Sequence, residues 1–472
     1  MPRTPLILAV LLLAGCATNP VTGKRQLSLV SEAQEIEMGK GEVARARAET
    51  GFYPDTALEA YVARIGKAMA AASERPALPW EFHLIDDPMV NAFAAPGGFI
   101  FITRGILAYL NSEAELAGVV GHEIGHVTAK HTVAAISRQQ VGTIGILGAA
   151  ILAKDERIAQ AGSTGLGILF LKFGRDQESQ SDGLGHRYSL SQGYDVREMP
   201  KTFMTLQRVG DASGNAGRIP GFLSTHPDPG NRVAATQGWA DTVSNYAKLV
   251  TGRDRFLDRL DHLVYGQDPR QGYFQGVRFL HPGLQLQFDL PAGWQGINQA
   301  TQVIGAEPNG AGQLQLSQAS QATIAAAMQA WQAQQGVTTT AVQQGQIGGS
   351  PAQWADFSAV TQDGQQLLGR VAYISYRNAV WQFIGMSVAA SWPQLGGAIK
   401  NSIGSFAATP ANQVFTRVRE LRVITLPRAM TMSALAAESG GATTAAELAL
   451  INSVEEGAMQ PAGKKLKTVR FR

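Results

Sequence analysis

The segment Gly121-His122-Glu123-Ile124-Gly125-His126 puts two histidines four residues apart with a glutamate directly after the first, and this spacing asks for an α-helix around it. On a helix, positions i and i+4 share a face one turn apart, so both imidazoles can reach one point. Neighbouring residues support that reading. Ser112 and Glu115 form the Ser-x-x-Glu box that opens a helix, and Leu116, Val119, Val120, Ile124 and Val127 supply an apolar face. Gly118, Gly121 and Gly125 oppose it, since each costs about 1 kcal/mol against Ala in a helix interior. Their presence predicts that another backbone comes close and that the helix is deeply buried.

Random order would produce His-Glu-x-x-His on the order of 0.006 times in such a chain, so chance is a poor account of it. Catalytic zinc takes three protein ligands and keeps one position for water. A third ligand is offered by Arg175-Asp-Gln-Glu178-Ser-Gln-Ser-Asp182, where Glu178 and Asp182 share one helical face. One zinc ion per chain is therefore expected on His122, His126 and Glu178. Asp182 would accept the free N–H of a ligand imidazole, and Glu123 would take a proton from the attacking water. His226, in Phe222-Leu-Ser-Thr-His226-Pro227, is a candidate catalytic donor to the oxyanion, with Arg232 in the same segment. His131 and His186 fall outside the ligand register and read as structural.

His-Glu-x-x-His followed by Glu178-x-x-x-Asp182-x-x-Gly185, and preceded by Asn91-Ala-Phe-Ala-Ala-Pro-Gly-Gly-Phe-Ile-Phe-Ile-Thr-Arg-Gly-Ile-Leu107, resembles the gluzincin family. That family contains the CAAX prenyl protease and bacterial envelope quality-control proteases, and the similarity runs from about Asn19 to Gln237. The resemblance implies a zincin peptidase domain with zinc on the three residues named and Glu123 as general base. For His226 it implies an alternative, a removable fourth zinc ligand that acts as an inhibitory switch. Ser181 replaces the usual Ala before the Asp, and neither a multi-pass membrane region nor a helical-repeat tail is seen.

A chain of 472 residues needs more than one core, and 45% apolar with 16% charged residues suits a globular protein. A net charge of +3 gives no basis for a nucleic-acid partner. Arg3, the apolar stretch Leu6 to Leu13, and Leu13-Ala-Gly-Cys16 resemble a bacterial lipobox. The expectation is a signal peptide over 1–15, acylation of Cys16 and, with Ala17 next, a lipid anchor in the outer membrane facing the periplasm. No later apolar run reaches the roughly 20 residues that span a bilayer.

The fold class expected is α+β: a mainly helical zincin domain with a small sheet (16–268), an α+β sheet domain of unknown role (269–412) and a small LysM-like module (413–472). In the middle domain, Gly369 to Tyr376 and Val380 to Met386 read as strands joined at Arg377-Asn378. The last segment follows a β-α-α-β order that would suit peptidoglycan binding or a structural cap. The strand at Gly98 to Thr103 is either an edge for extended substrate or fully paired. The apolar runs 141–153 and 165–171 would touch membrane, plug the cleft or form a buried hairpin. Together these predict an endopeptidase acting on misfolded or misassembled envelope proteins; the competing class is a periplasmic chaperone or assembly factor with a self-inhibited zinc site, and the intact Glu123 favours the enzyme.

Overall fold

The computed structural model describes residues 16–138, 173–214, 222, 225–226, 229–361 and 364–472; the expected signal segment 1–15 and the apolar runs 141–153 and 165–171 lie outside them. The chain divides into two units. The first combines residues up to Ala46 with Gly51–Gly266 and Arg419–Arg472, and the second comprises Gln267–Val418 with Arg47–Thr50.

In the first unit, short strands β1 (Cys16–Thr18) and β2 (Arg25–Leu27) pair ahead of helices α1 (Glu32–Glu49) and α2 (Thr56–Ala71). Asp55 caps α2 by accepting the Leu58 amide, and Leu58, Val62, Ile65 and Met69 form the buried stripe that their spacing predicts. Each such side chain contributes about 1.5–3 kcal/mol of burial. Strands β3 (Glu81–Ile85), β4 (Ala92–Ala95) and β5 (Phe99–Thr103) form a sheet in the order β3-β5-β4, with β5 parallel to β3 and antiparallel to β4. β5 is thus an interior strand, buried throughout: of the two alternatives for Gly98 to Thr103 the structure has the fully paired one, and β4 lies at an edge of the sheet. Gly97 and Gly98, at φ of +82° and +102°, make the tight turn that lays β5 antiparallel beside β4, and its other side pairs with β3.

Helix α3 (Arg104–Tyr109) leads into α4 (Glu113–Thr128), whose sixteen residues are all buried. Ser112 caps α4 by accepting the Glu115 amide at 3.1 Å. Both ends are anchored by charge: Glu113 pairs with Arg64 and Arg255, and Arg75 donates to the Val127 carbonyl while pairing with Glu35 at 2.8 Å. Helices α5 (Arg175–Ser191), α6 (Glu198–Gly214), α7 (Pro229–Asp241) and α8 (Arg253–Arg259) complete this part.

The second unit opens with strands β6 (Tyr273–Gln275), β7 (Arg278–His281) and β8 (Leu286–Asp289), and its main antiparallel sheet includes β9 (Gln295–Asn298), β10 (Gln302–Ala306) and β11 (Gly312–Gln318). After helix α9 (Ile324–Gln332), strands β12 (Val337–Thr339), β13 (Gln343–Ile347), β14 (Ser350–Val360), β15 (Gln366–Tyr376) and β16 (Ala379–Val388) complete the order β12-β14-β15-β16-β11-β10-β9, with β13 also on β14. Arg377 and Asn378, at φ of +50° and +61°, make the two-residue turn expected between β15 and β16. Helix α10 (Trp392–Gly404), absent from the sequence reading, brings Ile399 and Ile403 onto Leu314, Leu316 and Phe383; β17 (Ala407–Ala408) then pairs with β8.

Past the second unit come β18 (Arg419–Thr425), α11 (Met432–Ala437), α12 (Ala445–Asn452) and β19 (Lys465–Phe471), with β18 and β19 antiparallel. That is the β-α-α-β order expected, but the segment is no separate module. Leu421, Met432, Leu448, Leu466 and Val469 share one core with Leu116, Val120 and Ile124 of α4. Lys467, wholly buried, donates to the Ala108 and Leu110 carbonyls at 2.8 and 2.6 Å. Asn111, just before the α4 cap, donates to Ser453 at 2.9 Å.

Candidate metal centre

Helices α4 and α5 meet closely at glycines, and a Cβ on Gly121 would stand 3.0 Å from the Gly185 Cα. A Cβ on Gly185 would stand 2.8 Å from the His122 amide nitrogen, and one on Gly125 would stand 3.1 Å from the Ser181 Cα. The glycines that weaken α4 as a helix are therefore what lets α5 lie against it, which brings Glu178 to the two histidines.

His122, His126, Glu178 and His226 each offer a ligand atom, all within 4.8 Å of one another, and all four residues are buried. Nε2 of His122 and Nε2 of His126 lie 3.0 Å apart. Glu178 Oε1 lies 3.4 Å from His126 Nε2, and its Oε2 lies 3.6 Å from His122 Nε2. Nδ1 of His226 stands 3.0 Å from Glu178 Oε1 and 3.2 Å from His122 Nε2. Nitrogens and a carboxylate converging on one buried point form a donor set that fits a zinc ion. Burial pushes His126 well below the usual imidazole range, which keeps its lone pair free. Burial would raise Glu178, but the charge of His226 and its hydrogen bonds outweigh it and hold the carboxyl far below the ordinary range.

Around these donors, Asp182 Oδ1 lies 2.8 Å from His122 Nδ1, as its place in the sequence suggested. Arg232, expected only as a neighbour of His226, instead grips Asp182 through Nε and Nη2 at 2.8 and 2.6 Å. Its Nη1 stands 3.1 Å from Glu178 Oε2, close in charge though not aligned as a hydrogen bond, and its guanidinium lies over the Phe203 ring. Burial opposes an ionised Asp182, and Arg232 outweighs it and keeps the carboxyl low.

Glu123 has one oxygen that the site leaves unbonded. Its Oε1 is buried and takes no hydrogen bond, with His226 Nε2 3.7 Å away. Burial raises its carboxyl above the ordinary value, and the positive field of His226 and His122 only offsets this.

His131, read from sequence as merely structural, is part of the site: its Nδ1 lies 3.1 Å from His126 Nδ1 and 3.2 Å from Ser181 Oγ, and its Nε2 lies 3.0 Å from Gln180 Oε1. Burial holds it down to about 4, so it is neutral near pH 7. It lies five residues past His126, beyond the end of α4 at Thr128, and Lys130 between them takes a φ of +58°, so the helical register of α4 does not predict where its ring goes. His186 stands apart, edge-on to Trp239. Of Cys16 the structure shows its place in β1.

A model of the family described as Peptidase family M48 matches residues 56–240, a range that contains His122, Glu123, His126, Glu178, Asp182 and His226. Over residues 56–240 the chain is similar to peptidase family M48. Over 261 residues the chain is 30% identical to the beta-barrel assembly-enhancing protease of Yersinia pestis, covering 53% of this chain and 52% of that one. To the protein of the same name from Escherichia coli (strain K12) it is 31% identical over 237 residues, 48% of each. To the mitochondrial metalloendopeptidase OMA1 of Schizosaccharomyces pombe it is 32% identical over 228 residues, 47% of this chain and 65% of that one. The chain thus spans about half the length of the bacterial relatives it matches.

Proposed function

We propose that this chain is a zinc-dependent endopeptidase of the bacterial envelope that hydrolyses unfolded or misassembled proteins, held to the outer membrane by an acylated Cys16 and facing the periplasm. The observation that carries the catalytic half is Glu123: a buried carboxylate with an unbonded oxygen beside a four-donor metal cluster. A group left unsatisfied in a buried site stores a cost that a reacting partner can relieve. The relatives named beta-barrel assembly-enhancing protease support the envelope setting. Among the described residues no helix is long and apolar enough to cross a membrane, which is compatible with a lipid anchor.

Zinc bound to His122, His126 and Glu178 would supply Lewis-acid activation of water and of the scissile carbonyl. Glu123 takes the proton of the attacking water and returns it to the leaving amine, a role that its unbonded, buried Oε1 beside the donors leaves it free to play. Asp182 fixes the His122 ring. Strand β4, which packs beside α4 and forms the edge of its sheet, offers backbone pairing to an extended chain and reads little of its side chains. Such recognition favours unfolded substrate.

A second reading, a chaperone or assembly factor with a self-inhibited zinc site, is favoured by His226, whose ring nitrogen already stands among the donors. The deciding experiment is hydrolysis of an unfolded model protein by the zinc-loaded chain from Ala17 beside its Glu123→Gln variant. Cleavage by the parent alone supports the enzyme and puts the base at Glu123. Silence from both, with one zinc bound to each, supports the inhibited site.

A further inference from the structure

Two imidazoles that bind one ion through Nε2 must both carry their remaining proton on Nδ1, and something must hold each in that form. For His122 the holder is the Asp182 carboxylate. For His126 it is another imidazole. Nδ1 of His126 and Nδ1 of His131 lie 3.1 Å apart between buried rings set edge-on at 75°. Two nitrogens at that distance share one proton, so one ring donates and the other accepts.

The far end of His131 decides which. Its Nε2 lies 3.0 Å from Oε1 of Gln180, and an amide oxygen can only accept. His131 therefore carries its single proton on Nε2 and presents a lone pair at Nδ1. His126 must then donate from Nδ1, which leaves its Nε2 lone pair turned to the point where the donors meet. Reversing the Gln180 amide would reverse the whole chain and put a proton on the metal-facing nitrogen. Only the direction present in the structure is compatible with a bound ion.

We propose that His131, backed by Gln180, is the positioning residue of the second zinc imidazole, a neutral relay that sets the tautomer and direction of His126. The two ligand rings are thus oriented by different chemistry: His122 by an anion locked to Arg232, and His126 by an uncharged ring whose direction is set from the α5 surface. This rests on the metallopeptidase reading of the site, and its test measures metal binding instead of hydrolysis.

The test uses the full chain carrying Glu123→Gln, with zinc affinity measured by chelator competition and the visible spectrum recorded after cobalt(II) substitution. His131→Phe keeps a planar ring and removes both nitrogens. Zinc affinity should fall about 10- to 100-fold, the range for loss of a group that orients a ligand, with an altered cobalt spectrum. His131→Gln, whose side-chain oxygen can still accept from His126 and whose amide can still donate to Gln180, should recover most of that loss. A folded His131→Phe variant with parental zinc affinity and cobalt spectrum overturns the proposal. If His131→Phe does not fold, Gln180→Leu decides: weaker zinc binding supports the relay, and parental binding overturns it. A parent that binds no zinc removes the metallopeptidase reading and the relay with it, whereas zinc binding that is indifferent to His131 removes the relay alone.

Discussion

Arg232 holds Asp182 with two nitrogens, at 2.8 and 2.6 Å, while the same carboxylate lies 2.8 Å from Nδ1 of His122. The anion that orients the first ligand is thus itself neutralised by a buried cation, and removing that cation strands two carboxylates, Asp182 and Glu178, out of water. Arg232→Met should cost about 3–5 kcal/mol of unfolding free energy, the usual result of breaking a buried pair, read by chemical denaturation. Arg232→Lys should not rescue it, because an ammonium cannot make the two-pronged contact.

Gly185→Ala should destabilise by about 1–3 kcal/mol, since its Cβ would lie 2.8 Å from backbone of the metal helix, where no side chain can give way. Gly238→Ala, at an exposed position of α7 with nothing within 4 Å, should stabilise by about 0.5–1 kcal/mol. Thermal denaturation of both variants separates close approach from mere helix propensity.

His226→Ala should raise hydrolysis of an unfolded substrate, because the ring stands among the donors with Nδ1 3.0 Å from Glu178. A fall of about 10²–10³ in kcat would instead identify an oxyanion donor.

Burial pushes Glu115 up to about 7 and Lys467 down to about 7, with Glu198, Lys201 and Arg253 the other charges that act on them. Between pH of about 4.3 and 7 the folded chain binds more protons at Glu115 than the unfolded chain, so this residue makes stability fall as pH rises. Between about 7 and 10.4 the folded chain binds fewer at Lys467, so stability rises again. The difference in unfolding free energy between the parent and the Glu115→Gln, Lys467→Met double variant should therefore pass through a minimum near neutrality, measured by denaturant titration across pH. A flat difference would show that the pair does not titrate in this range.

The local signals in the sequence were strong where one element carries them. The i, i+4 histidines, the Ser112 cap and the Glu178–Asp182 face all appear in the structure where spacing put them. What escaped was set by contact between distant segments. His131 looked idle because ligand register was the only criterion applied to it, and its partner Gln180 lies on another helix. Arg232 could not be assigned because nothing local says that it turns to Asp182. The β-α-α-β order of the last segment was legible, but whether it closes on itself or on α4 depends on Lys467 and Ser453, polar residues whose partners lie more than 240 positions away.

Because the strand carrying Lys467 follows the whole of Gln267–Val418 in the chain, the ribosome makes every metal donor long before it makes the residues that complete their surroundings. A nascent chain that has just passed His226 has its ligands but not its finished core, and must wait through an entire intervening unit before α4 is fixed at its start. The order of synthesis thus separates the donors from the residues that finish their surroundings: the last strand of this core is made only after Gln267–Val418 has been translated.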